Sequence, residues 1–390
     1  MISKIIFWFF LFIMAYSYLG YGFLLLVLAT IKKMFCPVQK NTEEVYEPEL
    51  TLFIAAYNEK RFVHSKMQNI MALQYPKDKL RILWVTDGSD DGTPDELSQY
   101  NNITVLHKNE RRGKIGAINR GMRYVTTPIV VFSDCNTMLS PDALKEIVSF
   151  FKNPSVGCVA GEKRIIHKNK DVAVNIGEGF YWIYESMLKS LESKVYSVIG
   201  AAGELFAIRT GLFDQTEPDT LLDDFMISMR IAQKGYMIKY APKAYAMERA
   251  SLNISEELKR KKRIAAGSLQ ALLRLKALLN PLCYGILSFQ YISHKVLRWT
   301  LIPFAFPFLL VANILLLRYD AFLLYQCTLI LQILFYIFVM VGKLFEKTQT
   351  TCKILFVPYY VFIMNYSLIS GFFRYIRGHQ SVNWERAERG

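Results

Sequence analysis

Two adjacent carboxylates, Asp223 and Asp224, stand inside the apolar run TLLDDFMISMR. A buried charge is costly unless something pairs with it or uses it. One reading is helix capping, where free amides and the positive end of the helix dipole favour an anion. The other is proton chemistry, one acid accepting a proton and its neighbour holding it in place. Further acids close short apolar runs upstream: Glu59 in AAYNE, Asp87, Asp90 and Asp91 in VTDGSDDGT, and Asp134 in FSDCN. Turn formation explains part of this, because DGSDDG is a loop sequence in any protein, and Asp91 reads as a turn residue. Asp87 and Asp134 end their runs and face one crevice with Tyr57. A third signal is NERRGKIGAINRG, a glycine-containing turn entering a helix with Lys114 at its start. Such a turn with a lysine can hold a phosphate. It is no P-loop, lacking the upstream glycine and a following Ser or Thr, and a solvated basic face explains it equally well.

The elements that carry these residues alternate. Short β-rich runs at 50–57, 80–87, 102–107 and 128–134 are separated by helix-like stretches at 61–73, 94–100, 114–125 and 141–151. Continuous apolar strands alternating with helices predict a mostly parallel sheet covered on both faces. In such sheets ligands bind past the carboxyl ends of the strands. That is where Asn58, Glu59, Asp87, Asp90, Asp91 and Asp134 fall.

The two ends of the chain are different in kind. Residues 5–31 are almost uncharged and exceed the roughly 20 residues that cross a bilayer. Residues 300–317, 321–341 and 354–373 are further candidates. The first run is too long for a cleaved signal and lacks a small-residue cleavage site. Lys32, Lys33 and Lys40 follow it, so the positive-inside rule predicts an integral membrane protein with its globular insert in the cytoplasm. The expected order is an anchor at 1–33, a globular domain at 34–280 entered through a polar linker at 41–50, an interfacial amphipathic helix at 281–299, about three spans at 300–375 and a basic tail at 376–390.

The net charge of +14 does not argue for nucleic acid, which needs a clustered basic face with stacking aromatics or a known motif. The densest basic run, KRKKR at 259–263, precedes the second membrane region, where anionic headgroups account for it. Six Cys form no C-x-x-C pair and five His show no ligand spacing, which speaks against zinc or a redox dithiol.

AAYNE, VTDGSDDGT, ERRGK, FSDCN, GAAGELFAIR and LLDDFMISMRIAQKGY occur in this order. Together they resemble the motifs of membrane-bound family 2 glycosyltransferases with a GT-A fold, a Rossmann-like α/β domain. Bacterial polysaccharide synthases of the cellulose, hyaluronan and chitin-oligosaccharide synthase type are similar. The resemblance covers about residues 51–267 and the flanking membrane segments. It implies that Tyr57, Glu59 and Asp87 hold the nucleoside, with Asp87 reading the base. It implies that Lys114 lies near the diphosphate and that Asp134 sits at the sugar diphosphate and its metal. Gly203, Glu204 and their neighbours through Arg209 would line the acceptor side. Asp224 would be the general base, with Asp223 beside it in the place usually held by Glu, capping the helix that begins near Phe225.

The implied reaction is metal-dependent, inverting transfer of a sugar from a nucleotide sugar, a UDP-sugar in most of the family, to a lipid-linked or growing glycan. The setting would be envelope polysaccharide synthesis at a bacterial plasma membrane. Mn²⁺ or Mg²⁺ would stabilise the departing diphosphate. Two departures bear on this. The usual Asp-x-Asp metal motif is Asp134-Cys135-Asn136, so Asn136 would offer a neutral oxygen as second ligand and weaken binding. Where processive members carry Gln-x-x-Arg-Trp, this chain has RKKRI. Arg263 matches and divides between a diphosphate and a headgroup contact, whereas Ile264 offers no π face to a sugar. A processive polysaccharide synthase with coupled secretion is the first alternative. Four spans leave little room for a pore, so it would need further protomers or an export partner. A nucleotidyltransferase, or a catalytically weak nucleotide-sugar-binding protein, is the other; intact Asp134 and Asp224 speak against the latter.

Overall fold

The computed structural model describes residues 1–35, 46–166, 173–249, 254–348 and 353–378. The first half of the expected polar linker, 41–45, and the basic tail from 379 onwards fall outside them.

Among the described residues, eight strands form one sheet: β1 (Leu50–Ala56), β2 (Leu80–Asp87), β3 (Thr104–Lys108), β4 (Ile129–Ser133), β5 (Met138–Leu139), β6 (Val156–Ile166), β7 (Leu205–Arg209) and β8 (Met237–Arg249). The spatial order is β3-β2-β1-β4-β7-β6-β8-β5. Strands β1 to β4 pair in parallel, as do β6 and β8, while β7 runs antiparallel to both its neighbours. The mostly parallel α/β class expected from the sequence is the one observed, with the first four strands close to their predicted positions.

The pleat divides each apolar run between two cores. In β1, Phe53 and Ala55 pack into one cluster and Leu50, Leu52, Ile54 and Ala56 into the other. In β2 and β4 the same period of two separates Leu83, Val85, Val130 and Phe132 from Ile82, Trp84, Ile129 and Val131. Both faces are therefore dry, which is why these strands read as unbroken hydrophobic runs. One face is covered by α3 (Lys60–Met71), α4 (Thr93–Ser98) and α6 (Ala143–Ser149). The other is covered by α5 (Gly113–Gly121) and α8 (Asp223–Gln233). Among the described residues, Cys135 and Cys158 are buried and free and Cys283 and Cys327 exposed and free.

The remaining helices join the sheet to the apolar ends. At the N-terminus α1 (Ile2–Ala15) passes through a π turn into α2 (Tyr21–Phe35). Helix α7 (Ala173–Val195) lies against α2, with Tyr21, Leu25, Leu188 and Val195 in one cluster. Helix α9 (Ile254–Arg274) follows β8. Then α10 (Pro281–Tyr291), kinked at Gly285, runs through a second π turn into α11 (Leu297–Leu317). Last come α12 (Leu323–Thr348) and α13 (Lys353–Ile376). Among the described residues, four stretches are long and apolar enough to cross a membrane: Ile2–Phe35, Pro281–Leu317, Leu323–Phe345 and Phe356–Ile376. The stretch read as an interfacial helix, 281–299, continues into α11, and His294, Lys295 and Arg298 lie at that junction.

Candidate active site

The carboxyl ends of β1, β2 and β4 are locked together before they form a site. Asn58, just past β1, has φ of 52°, a left-handed conformation that Asn tolerates better than most residues. Its amide donates to Asp90 Oδ1 at 2.7 Å and its Oδ1 accepts the Asp90 amide at 3.0 Å. Asp91 accepts from the backbone of Lys60 and Thr93 at 3.1 and 2.9 Å, a loop role in keeping with its reading as a turn residue. Below β4, the fully buried Lys66 donates to Ser133 Oγ at 2.8 Å and to Thr137 O at 2.7 Å. It pins the segment that carries Asp134. Burial lowers the Lys66 ammonium to about 8.

A cavity of about 370 Å³ opens beyond these ends. It brings together Tyr57, Glu59, Lys114, Asp134, Asn136, Gly203, Glu204, Asp223, Asp224 and Arg263. At its centre Lys114 Nζ donates to Asp134 Oδ1 at 2.7 Å and lies 3.5 Å from Asp223 Oδ2. Burial opposes the Lys114 charge, but Asp134, Asp223 and Asp224 outweigh it and hold the ammonium well above its ordinary pKa. Burial pushes Asp134 up despite Lys114. Asp224 goes further, up to about 7, because it is desolvated and sits beside Asp223. A carboxylate poised near neutrality is matched to proton transfer at physiological pH.

The backbone makes room for this acid. Gly200 has φ of +87°, and a Cβ there would lie 2.2 Å from the Phe225 ring. A Cβ on Gly203 would come within 3.2 Å of both Asp224 Oδ2 and Lys114 Nζ. The GAAGE segment is thus a glycine-lined floor under Asp224 and Lys114.

Several expectations need correction. Asp223 does not cap a helix: α8 begins at Asp223 itself with no side-chain cap. Its Oδ2 is buried without a hydrogen bond, and Asp224 Oδ1 accepts from Phe225 N at 2.8 Å. Asp87 does not face the cavity. It is 1% exposed, and its oxygens accept from the Arg112 amide at 3.1 and 3.0 Å and the Gly113 amide at 2.7 Å. Two amides at the entrance of α5, those of Arg112 and Gly113, are taken by Asp87 and are not open to a phosphate. Arg209 is on the opposite rim. Strand β7 is antiparallel, so its last residue pairs with Ile129 at the start of β4. There Arg209 donates to the carbonyls of Val156 at 2.8 Å, Phe151 at 2.8 Å and Asn153 at 3.0 Å. The basic run on α9 is no free headgroup patch: Lys259, Arg260, Lys261 and Arg263 line the cavity. Arg260 forks onto Glu257 with two 2.9 Å bonds.

Other residues at the site were missed from sequence. Lys163 on β6 bridges Glu204 and Glu248, and Glu248 in turn accepts from Asn136 Nδ2 at 3.1 Å. Helix α7 contributes Tyr181, Trp182, Glu185 and Lys189, and the α10–α11 junction Lys295 and Trp299. Trp182, Glu185 and Lys189 are three and four apart, a stripe on one helix face, and that spacing was the available signal. Lys66 was detectable as a lysine standing on the apolar face of α3. Among the described residues, no group of three or more His, Cys, Asp or Glu comes together around a metal position. Asp134 and Asn136 are the expected ligands that the cavity wall presents.

A sheet with this strand order, its carboxyl-end cavity and its flanking apolar helices define a GT-A domain carried between candidate membrane spans. The chain belongs to the glycosyltransferase family 2: the model of "Glycosyltransferase like family 2" matches residues 48–267. It is similar to poly-beta-1,6-N-acetyl-D-glucosamine synthase of Staphylococcus aureus, 27% identical over 237 residues, 58% of this chain and 56% of that one. The enzyme of the same name from Staphylococcus epidermidis is 26% identical over 283 residues, 68% and 66% of the two chains. The chain thus spans little more than half the length of the Staphylococcus aureus relative. Its fold is also similar to that of the mannosyltransferase PcManGT from Pyrobaculum calidifontis, solved with GDP-Man and Mn²⁺. The TM-score is 0.68 at 22% identity, over 97% of this chain and 100% of that one.

Proposed function

We propose that the protein is an inverting glycosyltransferase. It moves a sugar from a nucleoside-diphosphate sugar, a UDP-sugar first, to a hydroxyl of a lipid-linked or growing glycan at the membrane, in envelope or exopolysaccharide synthesis. One observation carries the reading most: Asp134 and the Asp223–Asp224 pair converge on Lys114 from two sides of a single cavity. Donor and acceptor chemistry each have an acid, and one cation ties the two halves together.

Asp224 takes the proton of the acceptor hydroxyl as its oxygen bonds to the anomeric carbon. The bond from that carbon to the phosphate oxygen breaks on the opposite face. The nucleoside diphosphate leaves with the electron pair, and the anomeric centre inverts. Arg263 faces the cavity and, among the described residues, has no hydrogen bond or ion pair. It is the guanidinium available for the charge developing on the diphosphate. Asp87 acts through the Arg112–Gly113 turn, holding the α5 entrance that aims Lys114.

The donors at Asp134 and Asn136 fit a hard divalent cation. One Asp134 oxygen is engaged by Lys114, and the side chain is 26% exposed. Asn136 uses its amide nitrogen on Glu248 and keeps its carbonyl oxygen. Mn²⁺ or Mg²⁺ accepts such oxygens and completes its shell with phosphate and water. When bound, it would neutralise charge on the leaving diphosphate. Lys32 and Lys33 in the last turn of α2 support a cytoplasmic catalytic domain.

The test is nucleoside diphosphate release by the purified, detergent-solubilised protein. The donors would include UDP-N-acetylglucosamine and GDP-mannose, with Mn²⁺ or Mg²⁺, with and without membrane lipid extract. Release from one donor, abolished in Asp224→Asn, is the expected result. Binding without turnover under every condition would refute catalysis and leave a nucleotide-sugar-binding protein. The similarity to poly-N-acetylglucosamine synthases favours a second reading, processive chain extension with coupled secretion. Product length, measured by mass spectrometry, separates it from single transfer.

A further inference from the structure

Most cations on the cavity wall are already neutralised. Lys114 is held by Asp134, Arg260 and Lys261 by Glu257, Lys259 by Glu256, and Lys295 by Glu185. Arg263 is assigned above to the leaving group. Lys189 is left. It is 6% exposed, lines the cavity and, among the described residues, makes no hydrogen bond and no ion pair. Its neighbours are rings: Nζ lies 5.5 Å from the Trp182 centroid and 6.0 Å from that of Tyr240. Glu185, Glu162 and Glu204 act on it only from beyond ion-pair distance, and an ammonium so far from water with no anion in contact is expensive unless a ligand supplies one.

The position of Lys189 says where that ligand comes from. The preceding residue, Leu188, packs on Tyr21 and Leu25 of the first candidate span. Lys32 Nζ donates to Val195 O at the end of the same helix at 2.8 Å. Lys295 and Trp299, inside the second candidate span, line the same cavity, and Lys295 is near enough to act on the Lys189 charge. On the outer side of α7, Ile183 and Met187 are exposed apolar residues. Lys189 therefore stands where the cavity meets membrane-linked helices and apolar surface. Trp299 packs edge-on against Phe225 at 5.2 Å, next to the proposed base, so a ligand held at Lys189 can extend an aromatic-flanked sugar towards Asp224.

We propose that Lys189 anchors a lipid-borne phosphate on the acceptor, holding it so that a sugar hydroxyl farther along the same molecule reaches Asp224. The phosphate is bound and not consumed; bond making and breaking stay as in the proposed reaction, on which this inference rests. Charge-assisted contact to a phosphate oxygen is worth about 1.5–3 kcal/mol, which is roughly 10- to 100-fold in affinity.

Two synthetic acceptors of one sugar test this: the decyl ester of the sugar 1-phosphate, with one negative charge, and the neutral decyl glycoside. Wild-type protein, given the donor it turns over, should prefer the charged acceptor at least tenfold in kcat/KM, mostly through KM. Lys189→Met should collapse that ratio towards one, while Lys189→Arg should keep most of it. Equal use of the two acceptors by the wild type, or an unchanged ratio in Lys189→Met, would overturn the anchor while leaving the transferase reading standing. The wild-type comparison decides even if Lys189→Met does not fold. Decyl phosphate should inhibit far better than inorganic phosphate; equal inhibition would overturn the lipid source. No release with any donor and either acceptor would bring down the transferase reading and this inference together.

Discussion

The cavity has two walls of different character. The wall formed by the strand ends is closed on itself: Asn58 and Asp90 clasp each other, Asp87 holds the Arg112–Gly113 turn, and Lys114 is tied to Asp134. The wall formed by α7, α9 and the α10–α11 junction also pairs most of its charges, but among the described residues Arg263 and Lys189 make no direct ion pair, the nearest carboxylates acting on them only at a distance. The difference separates two jobs. The first wall's charges are satisfied in advance by partners within the fold. The second holds positive charge in reserve, to be matched only when anionic groups of the substrates arrive. Asp224 stands at the seam.

The largest effect should follow from breaking the seam. Asp224→Asn removes the proposed base while keeping shape, and general-base removal costs about 10²–10⁴-fold. We expect a loss of about 10³-fold in kcat for nucleoside diphosphate release, with donor binding by calorimetry retained. A loss of less than tenfold would assign the base elsewhere. Next comes the reserve charge. Arg263→Met should lower donor kcat/KM about 10- to 100-fold, the range for a lost charge-assisted hydrogen bond. An effect confined to the acceptor KM would move Arg263 to the other job and blur the contrast between the walls.

A smaller effect is read from pH. Asp224 is raised from 3.8 to about 7 by burial and by Asp223. Below about pH 7 it is protonated and cannot accept a proton, so kcat/KM for the acceptor should rise about tenfold per unit up to pH 7 and then level off. The stability sign is opposite. The folded state keeps a proton on this acid between 3.8 and 7 that the unfolded chain releases, so this group's contribution is lost as pH rises through 7. Asp223→Asn removes the like charge and should move the kinetic midpoint to lower pH.

The strand-end wall was largely legible in the sequence and the helix wall was not. Strands β1 to β4 announce themselves by unbroken apolar runs, and the acids at their ends follow from the fold class. Trp182 and Lys189 carry only a three-and-four helical spacing, and Lys295 has no local signature. They meet the site only because α7 packs on α2 and because the second candidate span starts at Pro281, contacts between segments far apart in sequence. Asp87 was found, but not the direction of its side chain: a strand-end acid can face the crevice or turn back onto the next loop, and the paired amides of Arg112 and Gly113 decide between them. The KRKKR run was seen as a cluster, yet burial and pairing split it into a bidentate Arg260, a buried Lys261 and an unpaired Arg263.

Arg209 gives the smallest kinetic effect and the sharpest control. Its sequence neighbours, Gly203 and Glu204, line the cavity, so a reading by motif would count it with them. Strand β7 carries the chain away from the cavity, because it runs antiparallel to β4, and Arg209 ends at the amino end of that strand. There it ties down the carbonyls of Val156, Phe151 and Asn153. Its guanidinium also lies 5.3 Å from the Phe151 ring. Arg209→Met keeps much of the aliphatic stem but releases these carbonyls. It should cost about 1–3 kcal/mol of stability, seen as a lower melting temperature in detergent. The KM values for donor and acceptor, measured well below that temperature, should stay within about twofold. A selective rise in the acceptor KM without loss of thermal stability would put Arg209 back at the acceptor. It would also mean that proximity in sequence, and not the reversal of β7, governs which residues serve the site.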